Sequence, residues 1–554
     1  MRRSSLLVIF TSVLLPAALA HGAGQPNILL LMAEDMSLRV RSFGDDVAIT
    51  PHLDALAAAG VRYPNTFTTA GVCAPSRAAQ ILGMYQIATG TQHMRSSTRP
   101  AGSYYSVPPG DVKAYPELLR AAGYYTYTDF KLDYQFSGPF AYSGPSTIWD
   151  AEGASAQEWS ERAPGQPFFG LINFQATHES GIFRPLGSMP HSPMHFGMQL
   201  LRRWELGAAV PAVVDPGDIV VPPYYPDTPT VRADMARHYD NIAFMDAQVG
   251  DILAQLDAAG LADSTIVIWT TDHGDGLPRA KRELYDSGIR VPMIIRWPPA
   301  FRPPGVAPGT VDERLISFVD LGPTILALAG VPVPGYMQGR NFAAVDAVPR
   351  DYVYAARDRM DEVMDRQRAV RGKRYKYLRS WYPDLPGGTD LQFRDNIDMV
   401  REMRAMYAAG QLNAIQRQWY EAPGAERLFD LAQDPFELHD VSANPAYQPV
   451  LQRMRGAMDE WLARVGDWSE EGEDAMVARF APGGKRQVTP APTLSVSAGR
   501  LVITPTAPGQ SLEYRLDDGH WRLYTGPADT GTTTTVAARA VRYGWEESDI
   551  VSAP

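Results

Sequence analysis

Three apolar runs in this chain end in groups that bind cations or move protons. The run Pro26 to Ala33 leads into Glu34 and Asp35, the run Ser264 to Thr271 into Asp272-His273-Gly274-Asp275, and the run Pro167 to Phe174 into Gln175-Ala176-Thr177-His178-Glu179. Carboxylates are hard oxygen donors suited to calcium or magnesium. An imidazole is a softer donor, and it titrates near neutrality. Each group alone reads as a hydrogen-bonded loop residue, whereas together at strand ends they read as ligands and proton carriers. The lone cysteine, Cys73, reads in isolation as a small buried apolar side chain.

Short continuous apolar runs suit strands buried on both faces. Helical stretches separate them. Those ending at Gly60 and Gly123 are expected to close on left-handed C-caps. Thr228-Pro229 reads as the N-cap and first residue of a helix in which Ile242, Met245, Val249, Ile252, Leu253 and Leu256 keep helical spacing towards Gly260. The alternation predicts an α/β fold, a large mostly parallel sheet sandwiched by helices, with ligands beyond the carboxyl ends of the strands. The fold domain is expected over 21–345.

From 346 to 480 short strands of alternating polarity (352–356, 367–371, 375–378), followed by the segments 428–431 and 434–437 and a helix near Val450–Val465, predict a smaller antiparallel α+β subdomain. A Gly/Pro/Thr-rich linker over 481–493 precedes a tail, 494–554, expected as a small β-sandwich. In it Glu513 to Leu516, Asp517-Asp518-Gly519 and Trp521 read as a hairpin. The stretch Gly181 to Tyr225, rich in Pro, Met and aromatics, is expected to be a loop that covers the site as a lid or wall.

A chain of 554 residues, 45% hydrophobic and 10% aromatic, excludes global disorder. Met1 to Ala20 reads as a signal peptide, with Arg2 and Arg3 ahead of an apolar run too short to span a membrane and a small-x-small site at Ala18-Leu19-Ala20. Its removal shifts the formal net charge from −11 to −13, since two arginines leave with it. Such an acidic chain is a poor nucleic-acid binder. A periplasmic or secreted location and no stable membrane anchor are expected. One cysteine permits no internal disulfide.

The densest motif is Cys73-Ala74-Pro75-Ser76-Arg77, followed by Ala78-Ala79-Gln80-Ile81-Leu82-Gly83. It resembles the C-x-P-S-R signature of type I sulfatases, in the alkaline-phosphatase superfamily, and the resemblance extends over roughly 25–465. Pro26-Asn27-Ile28, Leu284 to Pro292, Leu428 to Leu431 and Asp434-Pro435 also carry it. The resemblance implies an alkaline-phosphatase-like fold and conversion of Cys73 by a formylglycine-generating maturation enzyme, with Arg77 stabilising the hydrated aldehyde. It places Glu34, Asp35, Asp272 and His273 at the metal ligands, with Ca2+ the usual ion and Mg2+ the second choice. Glu34 stands where Asp is usual and His273 where Asn is common.

The resemblance also puts Lys131 and Lys281 on the sulfonyl oxygens and His178 on the ester oxygen as proton donor. Asp133 replaces a family histidine that contacts the nucleophile, so it orients the hydroxyl, acts as base or caps a turn. Glu179-Ser180 is similar to the branch acting on polysaccharide and glycosaminoglycan sulfates. Arg359 and Asp361 are candidates for binding sugar hydroxyls or a carboxylate, or else belong to an exposed charge run. The tail resembles the β-sandwich appended to chitobiase-like glycosidases.

The leading expectation is therefore an exported sulfatase acting on O-sulfate of a carbohydrate. Two rivals are a phosphonate or phosphate ester hydrolase of the same superfamily and a non-catalytic carbohydrate-binding protein with a degenerate site.

Overall fold

This computed structural model describes residues 24–554 apart from Thr534; the expected signal peptide lies outside the described residues. An eight-stranded sheet holds β1 (Asn27–Ala33), β2 (Val61–Phe67), β3 (Tyr125–Thr128), β4 (Phe168–Phe174), β5 (Thr265–Thr271), β6 (Arg290–Arg296), β7 (Thr310–Val311) and β8 (Ile316–Ser317). The order is β3-β4-β1-β5-β6-β2-β7, with β8 also on β2. Only β6 runs against the others, so the sheet is mixed but mostly parallel.

Strand β1 sits between β4 and β5, with Leu30 opposite Leu171 on one side and Ile268 on the other. All seven residues of each of β1, β4 and β5 are buried, as continuous apolar strands with helices on both faces must be. Alternate side chains feed two cores. Leu29 and Leu31 pack under the Pro229–Ala258 helix, and Ile28 and Leu30 under the Leu321–Leu328 helix. Each fully buried Leu or Ile is worth about 1.5–3 kcal/mol. The three strands that carry the reactive groups are thus among the most firmly held parts of the chain.

Thr228 caps the Pro229–Ala258 helix by accepting from Val231 N–H. Gly123 takes a left-handed φ of 95° after its helix, as expected. Gly60 does not. Its φ is −123°, and its constraint is space, because a Cβ there would lie 2.6 Å from the Ile295 carbonyl oxygen of β6. The glycine permits close approach of helix end to strand and makes no left-handed turn.

A second sheet, wholly antiparallel, holds Val353–Arg357, Gln367–Arg371, Tyr375–Ser380 and Glu426–Asp430, backed by the Gln448–Val465 helix through Leu451, Met454 and Met458. The tail forms two small antiparallel sheets that enclose Leu501, Ile503, Leu512, Val536, Ala538 and Ala540. Its hairpin pairs Glu513 with Leu523 and Tyr514 with Arg522.

Candidate active site

The carboxyl ends of β1, β5 and β4 meet in one buried knot. The Asp272 N–H donates to the Ala33 carbonyl (3.0 Å), and the Asp35 N–H to Asp272 Oδ1 (3.1 Å). The Glu179 N–H donates to Asp35 Oδ2 (2.6 Å). Asp35 itself adopts φ 48°, a left-handed geometry that turns its carboxylate back into the strand ends. Such strain in a non-glycine residue persists only where its surroundings fix it.

Cys73 opens the Cys73–Leu82 helix, all ten residues of which are buried. Its Sγ lies 3.4 Å from His273 Nε2 and 3.9 Å from Asp35 Oδ1. The helix is docked by Ser76 Oγ, which donates to the Asp272 carbonyl (2.6 Å), and by Arg77. The Arg77 guanidinium spans Asp272 Oδ2 (3.1 Å), Glu34 Oε1 (3.2 Å) and the Asn173 side chain. Arg77 therefore pins the helix to two strand ends and orients both carboxylates.

Asp35, Cys73, Asp272 and His273 each present one donor atom within 4.8 Å of the others. His273 Nε2 is 2.9 Å from Asp35 Oδ1 and 3.7 Å from Asp272 Oδ1. Burial alone would lower the His273 pKa, but Asp272 and Asp35 outweigh it and lift it to about 10. The imidazolium proton thus occupies the space where a metal's charge would fall. Burial drives Glu34 up despite Lys131 and Arg77, and its Oε2 is buried with no hydrogen-bond partner. An orphaned carboxylate oxygen beside two more carboxylates fits a hard divalent cation. Glu34, Asp35, Asp272 and His273 are the residues that would hold it.

Two lysines complete the floor. Lys131 Nζ is 2.6 Å from Glu34 Oε1. Lys281 Nζ is 2.5 Å from Asp35 Oδ2 and 3.0 Å from Glu179 Oε1. Burial disfavours their charge, but the surrounding anions more than offset it and both pKa values are raised, so both are cations at neutral pH. A cavity is lined by both lysines together with Met94, Phe140, His178, Glu205, Asp361 and Phe393.

His178 Nδ1 accepts from the Ser180 N–H (3.3 Å), which leaves Nε2 to carry the proton of the neutral ring. Burial and the charge of Lys281 push its pKa well below the ordinary value. An anion placed beside it would raise that pKa again.

Two expectations need correction. Arg359 does not face the cavity. It is buried, and its guanidinium is consumed by Glu473 (2.7 and 2.9 Å) and by the carbonyls of Met94, Arg95 and Asp361, which leaves no donor for a sugar. Asp361 does line the cavity, held 2.8 Å from Arg282 Nε. The 181–225 stretch is not a featureless loop. It contains the helix Pro193–Leu206, started by Ser192 accepting from His195 N–H, and Met198, Leu201, Arg202 and Glu205 of that helix form one wall.

Asp133 is buried at φ 61° and clasps Arg95 in a two-pronged ion pair (2.6 and 2.5 Å). Burial would raise its pKa, but Arg95 more than cancels this and holds it below the ordinary value, so it is a weak base. Sequence reasoning passed over Arg95 and Arg282 and gave Glu179 no partner; Arg282 and Glu179 are joined bidentately (2.8 and 2.9 Å). A usable signal existed for Glu179 and Arg282, which directly follow His178 and Lys281. For Arg95 there was none.

A family model described as Sulfatase matches residues 26–331, and one described as N-sulphoglucosamine sulphohydrolase, C-terminal, matches 279–421. The chain is 38% identical over 553 residues to an ulvan-active sulfatase of Formosa agariphila, covering 95% of this chain and 91% of the relative. It is 26% identical to human N-sulphoglucosamine sulphohydrolase over 80% of this chain and 90% of that one. In fold it is similar to the phosphonate monoester hydrolase of Agrobacterium radiobacter, with a TM-score of 0.55 at 17% identity over 80% of this chain and 96% of that one. The fold alone therefore does not choose between sulfate and phosphonate esters.

Proposed function

Because the chain belongs to the sulfatase family and is a sulfuric ester hydrolase, we propose that it is an exported, periplasmic or secreted enzyme. Its proposed substrate is an O-sulfate on a polysaccharide of the ulvan or glycosaminoglycan type. The observation that most supports this reading is the convergence of Lys131, Lys281 and His178 on one cavity, where Lys281 is paired with Asp35 and His178 lies within 4.8 Å of Cys73 and Asp35 of the buried cluster.

In this reading Lys131 and Lys281 hold the sulfonyl oxygens as point charges. His178 faces the ester oxygen. With the anionic ester bound its pKa rises, and protonated Nε2 delivers a proton to the departing alcohol. Arg77 and Ser76 keep residue 73 at the helix start, aimed at sulfur. Asp133 acts by fixing Arg95, which adds a cation at the cavity wall. Converted to formylglycine by a maturation enzyme, residue 73 would supply a hydrated aldehyde, whose hydroxyl is the nucleophile this chemistry needs. Glu34, Asp35, Asp272 and His273 would hold a calcium or magnesium ion, whose charge would lower the cost of bringing an anion to that hydroxyl.

The test couples peptide mass spectrometry over Cys73 with rates on matched sulfate and phosphonate esters. The aldehyde mass and a preference for sulfate are expected, with Cys73→Ala inactive but folded. An unaltered thiol in protein from its native host, or phosphonate turnover far above sulfate turnover, would overturn the reading.

A further inference from the structure

The C-terminal β module is more than an appendage, since it is packed against the two segments that shape the cavity. Tyr543, 3% exposed, lies with its ring parallel to that of Phe136 (centroids 4.9 Å apart, 8° between planes). Phe136 stacks in turn on Tyr134 (5.7 Å, 26°), the neighbour of Asp133. The Tyr543 hydroxyl donates to Glu117 Oε2 (2.7 Å) and accepts from the Ala114 N–H (3.2 Å). Lys113 Nζ lies 5.2 Å from the ring centroid and donates to the Gly509 carbonyl (2.9 Å). Ser511 Oγ of the module donates to Glu117 Oε1 (2.5 Å). A second contact is built on buried Glu513, which takes Arg120 (3.4 Å), Ser146 (2.8 Å) and Arg539 (2.8 Å).

The loop under Phe136 needs support. Asp133 and Gln135 stand at φ 61° and 68°, two left-handed non-glycine residues in three positions, a conformation that persists only where neighbours over-determine it. Gln135 also joins this loop to the segment bearing Arg95. Its Oε1 accepts from the Ser96 N–H (2.9 Å) and its carbonyl from the Ser106 N–H (3.0 Å). Gly110, on the Arg95-bearing segment, packs against Gly509 of the module so closely that a Cβ on Gly509 would lie 2.5 Å from the Gly110 Cα.

We propose that the β module is a brace of the cavity, with Tyr543 as the positioning residue that holds the 129–143 loop, and through it Lys131 and the Asp133–Arg95 pair, in place. The catalytic consequence rests on reading that cavity as the sulfate site.

The experiment compares full-length Tyr543→Ala and Tyr543→Phe with the unsubstituted protein. Hydrogen exchange over 94–112 and 129–143 is followed, with melting curves and steady-state kinetics on 4-nitrophenyl sulfate and on ulvan. The brace predicts exchange in both segments at least about tenfold faster in Tyr543→Ala. It also predicts kcat/KM lower by about tenfold on both substrates at temperatures far below melting, with Tyr543→Phe restoring most of each. Should Tyr543→Ala fail to fold, Phe136→Leu removes the same stack from the loop side.

Unchanged exchange in folded Tyr543→Ala would overturn the proposal. So would a loss confined to ulvan with exchange unaltered, which would mark a carbohydrate-binding module instead. Exchange decides the brace even if neither ester is turned over, a result that would count against the sulfatase reading alone.

Discussion

Lys131 Nζ sits 2.6 Å from Glu34 Oε1, while the other oxygen of that carboxylate is buried without a partner. One side of Glu34 is thus committed to a cation of the protein and the other is open to a cation from outside. Adding calcium at a hundredfold excess over its dissociation constant should stabilise the fold by about 2.7 kcal/mol. Glu34→Gln should weaken that shift and also lower the ion-free melting temperature, because buried Lys131 loses its counter-charge. A calcium titration followed by calorimetry checks both, and an equal shift in the variant would remove Glu34 from the ligand set.

His273 gives the same site a pH dependence. Its pKa is raised to about 10, so at neutral pH the free site carries a proton that an ion must displace. Apparent calcium affinity should therefore climb with pH, by up to about tenfold per unit below 10, and proton release on binding should be measurable in buffers of different ionisation enthalpy. A flat affinity between pH 6 and 9 contradicts this.

Lys281 bridges Asp35 and Glu179. Lys281→Ala should cut kcat/KM by at least about a hundredfold and destabilise the ion-free protein by about 3–5 kcal/mol, because two buried carboxylates lose a counter-charge. Lys131→Ala should behave likewise. Kinetics beside urea unfolding separates the two effects, and near wild-type values in both assays would remove these lysines from the site.

Glu205, on the helical wall, has its pKa pushed up to about 7 by burial and the charge of Glu34, against the pull of Lys131. Below that pH it is neutral, and above it a negative charge enters a cavity meant for an anion. KM for the sulfate ester should therefore rise on the alkaline side of pH 7, and Glu205→Gln should abolish that rise without changing kcat at pH 6. A pH–rate profile of both proteins decides it.

Arg95 owes its place to Asp133. Asp133→Asn should free the guanidinium and raise KM about tenfold while sparing kcat, whereas Arg95→Lys should do the same without the two-pronged clasp. If Asp133→Asn instead lowers kcat alone, Asp133 touches the reacting atoms directly.

The groups at the strand ends were legible because hydrophobic continuity dictates where β1, β4 and β5 stop; Glu34, Asp35 and Asp272 follow at once and His178 after one short turn. The Cys73 to Arg77 motif was legible as a resemblance. Arg359 misled because a charge run in sequence carries no sign of its partner, and Glu473 lies 114 residues away. Arg95 was hidden for the same reason, since a strained turn at Asp133 brings it in. The helix Pro193–Leu206 was obscured by its Pro, Gly, Met and His content, weak helix formers apart from Met. Tertiary packing and one serine cap were enough to form it.

Cys73 is wholly enclosed, with no exposed surface. Any catalyst that rewrites this thiol must meet the segment while it is still an extended polypeptide, during synthesis or translocation. If Cys73 is converted as proposed, geometry fixes the order of events: chemistry on the side chain first, closure of the sheet second. A batch of folded protein produced without that catalyst would be a dead end, unrescued by later exposure to it unless first unfolded.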